Sequence, residues 1–377
     1  MTTVRITSLT SLPLRMTTDY SSMSYFVVRI ETDNGLVGWG ESCDCFGISH
    51  PSILRAIVDE IYAPAVLGKE VGEAVSALDE MHWATRRTLG DQFSAAQSRS
   101  AIDIALRDLE GRARGLSISE MLGRVKDSVR VYAGNSHFLD SREAKDHLSL
   151  LSPLLARGVS IVKMRIGADW RNSLRVLREL RRELDRIDET IEITVDGSEL
   201  FTVAESIEIA ARLGDLRVGW FEEPVQSYRL GAIAQVVRSS PVPVAYGEHF
   251  FGAEYALDAM DLTGISVVQP DASICGGIAE AHLLARTARL KGARVVMHLH
   301  GGPISFAANL HVAASVSGVE VIEYPFHLSP VMNRVASEAG FGIDAIVDGR
   351  IAVPSGPGLG IEVDESVIEE AHRAWQV

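Results

Sequence analysis

The sequence predicts an eight-stranded parallel α/β barrel joined to an α+β cap. Three observations carry this: eight short β-branched runs that alternate with helical stretches, a strand-then-helix pattern before them, and chemistry-bearing residues near the ends of successive runs at intervals of one βα repeat. At 377 residues and 46% apolar, the chain can bury a sizeable core in more than one domain.

The cap is expected over residues 1–125. Residues 24–32 and 36–41 are β-prone runs on either side of Asp33-Asn34-Gly35, and Asn-Gly between two such runs is a strong hairpin signal. Ile53, Leu54, Ile57, Val58, Ile61 and Tyr62 then recur at helical spacing, and a longer pattern runs from about Phe93 through Ile102, Ala105, Leu106 and Leu109 to Gly115. The barrel is expected over 126–325, with strands at 129–135, 161–167, 191–198, 218–224, 242–249, 264–271, 293–300 and 319–325. Strands alternating with helices argue for parallel βα units, and eight is the number that closes a barrel. An open doubly wound sheet is the competing arrangement. No G-x-G-x-x-G or G-x-x-x-x-G-K-[ST] follows any of these runs, which removes the usual reason to prefer it. After Pro325 the pattern degrades; the tail, 326–377, contains a Gly/Pro-rich stretch at 348–365 and is read as returning to the cap.

A formal net charge of −14 repels phosphate backbones and anionic headgroups, so neither nucleic acid nor a membrane surface is an expected partner. The N-terminus lacks a continuous apolar segment, and no apolar run reaches the roughly 18 residues needed to span a bilayer. Cys43, Cys45 and Cys275 are too few for a disulfide framework, and the first two are not spaced like a zinc half-site. These features point to a reducing cytoplasm.

Asp196, Glu222, Glu248, Asp271, His298 and Glu323 stand near the ends of six successive strands, separated by 26, 26, 23, 27 and 25 residues. Any one of them alone reads as an exposed group at a strand-to-loop junction. In a parallel barrel, however, all strand C-termini open on one face, so the six converge on a single cup. Five carboxylates in one cup cannot all ionise without a compensating cation, because like charges raise each other's pKa. A metal is therefore implied, and hard oxygen ligands with no Cys among them point to Mg²⁺, with Mn²⁺ as the alternative. Asp196, Glu222 and Glu248, on three consecutive strands, are the expected ligands.

Asp271 and His298 lie on adjacent strands, where the carboxylate can accept from one imidazole nitrogen and leave the other facing the cup. That pairing raises the basicity of the histidine, as proton abstraction requires. His300, two residues on, points to the same side. Lys163 and Arg165 also alternate onto one face, where they suit a substrate carboxylate or pair with the acids of the cup. Glu323 can hydrogen-bond a substrate oxygen if it stays protonated.

With K-x-R on the second strand, Asp196, the FEEP run around Glu222, the YGEH run with Glu248, QPD with Asp271 and H-x-x-x-G-P from His298, the chain resembles the mandelate racemase-like subgroup of the enolase superfamily. The resemblance covers essentially the whole chain. It implies a modified TIM barrel, (β/α)7β, with an α+β N-terminal capping domain completed by the C-terminal tail. It also implies abstraction of the proton α to a carboxylate, with Mg²⁺ stabilising the enediolate that forms, a use of His or Lys bases with Mg²⁺ that is general to this superfamily. Carried over by residue, Asp196, Glu222 and Glu248 become the metal ligands, His298 with Asp271 the basic dyad, and Glu323 the group that hydrogen-bonds the substrate carboxylate. A homo-oligomer is implied by the same resemblance.

Three departures from that subgroup bear on the reaction. Arg165 stands where a second Lys is usual, and Arg is a poor proton acceptor, so racemisation between two opposed bases is disfavoured unless Lys163 takes over. Ser198 replaces a common Asn, and His249 follows Glu248 where Asn is common; His249 is read as facing the substrate. With one clear base, the expected reaction is dehydration of a sugar acid, aldonate or aldarate, to a 2-keto-3-deoxy acid. Racemase, epimerase or lactone cycloisomerase activity is the alternative, and a metal- or ligand-binding barrel without catalysis is a third reading. Substrate choice is expected from cap segments closing the barrel mouth: residues 17–25, with Tyr20 and Tyr25 as contacts, and the loop 43–50. Their polar content suits a hydroxylated small-molecule carboxylate.

Overall fold

The computed structural model describes residues 4–17, 22–43, 50–325 and 334–376. Three strands, β1 (Ile6–Thr17), β2 (Ser22–Thr32) and β3 (Val37–Cys43), form an antiparallel sheet in that order. β2 and β3 are the expected hairpin, and Gly35 supplies the φ of 84° that its turn requires. β1 was not expected. Its apolar residues alternate only over Leu12, Leu14 and Met16, and Pro13 argues against a strand; the structure accommodates Pro13 because β1 is the edge of the sheet.

The cap helices follow. Pro51–Ile57 continues through a π-turn, Val58–Tyr62, into Ala63–Val66, and Ser94–Arg114 ends on Gly115 at a left-handed φ of 68°. Between them lies Val71–Thr85, a helix the sequence reading left unassigned although Glu70 and Glu73 form a capping box at its start. Phe26, Val28 and Ile30 pack against these helices, while Met23, Tyr25 and Val27 on the other face of β2 join the barrel core. Ser94–Arg114 lies so close to β3 that a Cβ on Gly40 would overlap the carbonyl oxygen of Ala101.

All eight expected barrel strands are present: β4 (Ser128–Phe138), β5 (Ile161–Arg165), β6 (Glu192–Asp196), β7 (Val218–Glu222), β8 (Val244–Tyr246), β9 (Val267–Val268), β10 (Arg294–Met297) and β11 (Val319–Tyr324). They pair in parallel in chain order, and β11 pairs with β4 to close the barrel. Period-2 alternation then divides the interior into layers. Tyr132, Ile161, Trp220, Ala245, Val267, Val296 and Val321 make a dry floor. Two residues further along five of those strands come Lys163, Glu222, Gln269, His298 and Glu323, so the polar layer sits directly above the floor.

The tail contributes β12 (Arg350–Ala352), antiparallel to β4, and then returns to the cap. Leu359 N donates to Asp108 Oδ1 at 2.8 Å, and the last helix, Glu365–Gln376, places His372 Nδ1 2.7 Å from Pro13 O on β1. Among the described residues no helix is long and apolar enough to cross a membrane.

One buried histidine ties these parts together. His311, on the fully buried helix Pro303–Ser315, accepts from Ser119 N at Nδ1 (3.2 Å), so its Nε2–H donates to Leu359 O (3.0 Å). Burial pulls its pKa down from 6.5 to about 4. The unfolded chain therefore binds this proton across a window where the folded chain does not, and stability falls as pH drops from about 6.5 to about 4. Thermal melts across that window should show the decline, with a shallower slope in His311→Gln; equal slopes would remove His311 as a contributor.

Candidate active site

The register of the barrel sets the acids side by side: Arg165 stands opposite Asp196 across β5 and β6, and Asp196 opposite Glu222 across β6 and β7. Lys163 is fully buried between them. Its Nζ lies 2.9 Å from Glu222 Oε1, 2.9 Å from Glu323 Oε1 and 3.6 Å from Asp196 Oδ2. Burial alone would lower the Lys163 pKa, but the three carboxylates outweigh it and hold the group above the ordinary lysine range as an ammonium. Arg165 reaches Asp196 Oδ2 at 3.4 Å and Ser198 Oγ at 3.5 Å. Both cations are thus ion-paired with acids of the cup.

The acids have further partners. Glu222 Oε2 accepts from Trp220 Nε1 at 3.1 Å and Gln269 Nε2 at 2.8 Å, and Ser198 donates its N–H (2.7 Å) and hydroxyl (3.1 Å) to Asp196 Oδ1. Burial, reinforced by Asp196, Glu248 and Glu323, pushes Glu222 up to about 7 against the pull of Lys163. Glu323 accepts from Tyr132 OH at 2.9 Å, and Gly134 makes room for it, since a Cβ there would collide with the Glu323 carboxylate.

His298 Nδ1 lies 3.0 Å from Asp271 Oδ2, and its Nε2 lies 3.1 Å from Glu248 Oε2 and 3.9 Å from Glu323 Oε2. Asp271 is itself fixed: Oδ1 accepts from Ser273 N (2.8 Å), Ser273 Oγ (2.7 Å) and Asn309 Nδ2 (2.8 Å). An imidazole donating from Nδ1 to Asp271 presents Nε2 to the cup. Burial works against its charge, yet Glu248, the Asp271 hydrogen bond and Glu323 raise His298 to about 9. Glu248 moves the opposite way: despite burial, His298, His249, Lys163 and Arg165 hold it below the carboxylate range. The His300 ring lies parallel to that of His298, with centroids 6.5 Å apart, and burial with the nearby Arg165 and His298 charges keeps it neutral.

Asp196, Glu222 and Glu248 form an all-oxygen donor set on consecutive strands, the chemistry a hard divalent cation prefers. A different group among the described residues, Glu199, Glu223 and His249, mixes two carboxylates with an imidazole nitrogen and has ligand atoms within 4.8 Å of one another. His249 Nδ1 lies 2.8 Å from Glu223 Oε2, which, against burial, raises the imidazole to about 10. His249 is thus held by Glu223 at the edge of the cup, a partner the reading of it as a substrate contact did not include.

The cap needs one correction. Residues 22–25 are not part of a closing loop but the start of β2, and Tyr25 is fully buried, with Met23 Sδ 3.7 Å from its hydroxyl. Tyr20, Cys45 and most of the 43–50 loop lie outside the described residues. Sequence reading also passed over Tyr132, Gln269, Ser273 and Asn309. Gln269 carried a signal, being two residues from Asp271 in alternation; Tyr132, inside the expected strand 129–135, neighbours no named site residue, and Asn309, in mid-helix, carried none.

Comparison with known proteins agrees with this geometry. Residues 1–123 match the mandelate racemase / muconate lactonizing enzyme N-terminal domain, and residues 149–367 match the enolase C-terminal domain-like family. The chain is 32% identical over 363 residues to D-galactarolactone cycloisomerase of Agrobacterium fabrum, covering 93% of this chain and 92% of that one. It is 29% identical over 350 residues to arabinonate dehydratase of Saccharolobus solfataricus, covering 92% and 90%. The crystal structure of an enolase superfamily member from Polaromonas sp. JS666 superposes with a TM-score of 0.85 at 28% identity, covering 97% of each chain.

The support behind the dyad is testable without substrate. Asn309 donates to Asp271 Oδ1 and accepts from Ala272 N at 2.8 Å. Asn309→Leu leaves both groups short of a partner in a buried site, and should destabilise the fold by about 1–3 kcal/mol in urea unfolding. A change below roughly 0.5 kcal/mol, the size of an ordinary surface substitution, would mean the Asn309 bonds contribute little.

Proposed function

The chain belongs to the mandelate racemase / muconate lactonizing enzyme family of the enolase superfamily, and on that premise we propose that it removes the proton α to the carboxylate of a sugar acid and eliminates water. The observation that carries this reading is the His298–Asp271 pair, with the second imidazole nitrogen turned toward the acids of the cup. In this reading the neutral form of His298, reached where a divalent cation on Glu248 would offset the carboxylate that raises the imidazole to about 9, takes the α-proton at Nε2, and Asp271 holds the tautomer and offsets the charge gained. The electrons left on the α-carbon form an enediolate, which expels the 3-hydroxyl as that oxygen accepts the proton from His298. Water leaves, and the enol rearranges to a 2-keto-3-deoxy acid.

Asp196, Glu222 and Glu248 would hold the divalent cation, Mg²⁺ with Mn²⁺ as the alternative, which supplies positive charge where the enediolate becomes negative. Lys163 and Arg165 orient the substrate carboxylate. Lys163 is ion-paired with three carboxylates, and Arg165 is a poor proton acceptor. This supports chemistry on one face of the α-carbon and counts against a two-base racemase. Lactone cycloisomerisation is the second reading, favoured by the 32% identical relative that carries that activity in its name.

The test is a panel of aldonic and aldaric acids incubated with the protein and Mg²⁺ in D₂O, with keto acid read by semicarbazide and α-deuteration by NMR. Keto-acid formation from a linear acid is the expected outcome; ring opening or closure of a lactone alone would favour the second reading. His298→Asn should lower α-proton exchange by roughly a hundredfold or more while leaving Mn²⁺ affinity near wild type, whereas Asp196→Asn should weaken Mn²⁺ binding. Exchange that survives in His298→Asn would remove His298 as the base.

A further inference from the structure

We propose that Glu41, a cap residue, is a positioning residue for the dyad: with Ser42 it holds the two turns that follow His298 and Asp271, so that the base is aligned only when cap and barrel are docked. The inference rests on the reading of His298 as the base.

Glu41 stands near the end of β3, fully buried. Its carboxylate accepts from the backbone N–H of Gly302 and, at 3.1 Å, of Ser305, in the first turn of helix Pro303–Ser315. That helix has no side-chain cap of its own, because its N-cap is Gly302, and Pro303 has no N–H. The orphan amides of its first turn are therefore met by a residue from another part of the fold, more than 250 positions away in sequence. A carboxylate at a helix N-terminus is favourably placed for charge as well as for hydrogen bonding. The turn it caps, 300–302, begins two residues after His298 and has little slack, since a Cβ on Gly301 would collide with Ser305.

The next residue makes the matching contact on the other strand of the dyad. Ser42 Oγ donates to Ser273 O at 2.7 Å, and Ser273 in turn donates twice to Asp271 Oδ1. Cys43 O is then tied to the cap helix by Gln97 Nε2 at 2.8 Å. Consecutive residues of one cap strand thus grip the turns after β10 and β9. Burial, with Asp271 adding to it, pushes the Glu41 carboxyl up to about 7, and the Gly302 and Ser305 amides oppose that rise. A buried acid without such partners would be a poor choice for a merely structural contact.

Hydrogen–deuterium exchange on the intact protein tests this without a substrate. In Glu41→Ala, amides of 299–306 should exchange roughly tenfold to hundredfold faster, the factor expected on losing hydrogen bonds to a charged group, while β5 to β7 keep their protection. In Ser42→Ala the loosening should move to 272–276. Unchanged protection at 299–306, or a rise spread evenly over the chain, would overturn the proposal. Where the acid panel yields a substrate, Glu41→Ala should lower kcat at least tenfold with KM within about twofold, and Glu41→Gln, which keeps one acceptor, should recover part of the loss. A folded Glu41→Ala with wild-type kcat would also overturn it. If the wild type exchanges no acid, the dehydratase reading fails, and the exchange measurement still decides the role of Glu41. Should Glu41→Ala not fold, Glu41→Gln and Ser42→Ala carry the same comparison.

Discussion

Acids gathered at one end of a barrel have to be compensated from within the protein, and most of this site follows from that requirement. Asp196, Glu222, Asp271 and Glu323 are buried, and Glu248 is nearly so. Removing a carboxylate from water costs several kcal/mol even after relaxation, unless opposite charge or hydrogen bonds replace the solvent. The structure divides the task. Lys163 serves Glu222, Glu323 and Asp196 together; Arg165 adds to Asp196; Asp271 is met by hydrogen bonds from Ser273, Asn309 and His298. Among the described residues the histidines His298, at 3.1 Å, and His249, at 3.6 Å, pair with Glu248, and with Lys163 and Arg165 they draw it downward while it draws His298 upward. Two permanent cations do not balance five acids, and a divalent cation on Asp196, Glu222 and Glu248 would reduce the remaining negative charge.

The barrel makes this concentration of charge tolerable. Its floor of Tyr132, Trp220 and five aliphatic residues excludes water from below, so the polar layer acts through a low dielectric on one side and opens on the other. The two layers are coupled by the same strands: Trp220 packs edge-to-face on Tyr132 at 5.7 Å, while its indole N–H supports Glu222 and the Tyr132 hydroxyl supports Glu323. A substitution in the floor would therefore disturb the acids above it through hydrogen bonds as well as through volume.

What the sequence made legible was the part governed by periodicity. Eight β-branched runs at regular spacing led to the eight strands, and a single 26-residue interval led from Asp196 to Glu222 to Glu248, because one βα unit returns the chain to the same level of the barrel. Contacts that depend on distant parts of the chain were not legible. Asn309 supports Asp271 from mid-helix, and Glu41 caps a helix whose own N-cap is glycine; neither lies at a local signal for the job it does. β1 escaped because an edge strand tolerates Pro13 and an irregular apolar pattern. Tyr25 was read both as part of the strand 24–32 and as a contact in the polar segment 17–25; the strand reading holds, and it buries the ring in the core instead of at the barrel mouth.

A site with one base, as proposed for His298, constrains the overall reaction more than its metal ligands would. A racemase must deliver and remove protons on opposite faces of the α-carbon, which needs a second group able to change its protonation. On the strand where such a group would stand, Lys163 is ion-paired with three carboxylates and Arg165 does not deprotonate. Elimination asks for less: one imidazole takes the α-proton and returns it to the departing β-oxygen. Loss of a hydroxyl and opening of a ring at that oxygen are the same chemical event on a one-base site, differing in whether the oxygen stays tethered to the product. The dehydratase and lactone readings thus share one barrel apparatus, and the choice between them falls to the groups that fix the β-oxygen over His298, on the side where cap and barrel meet.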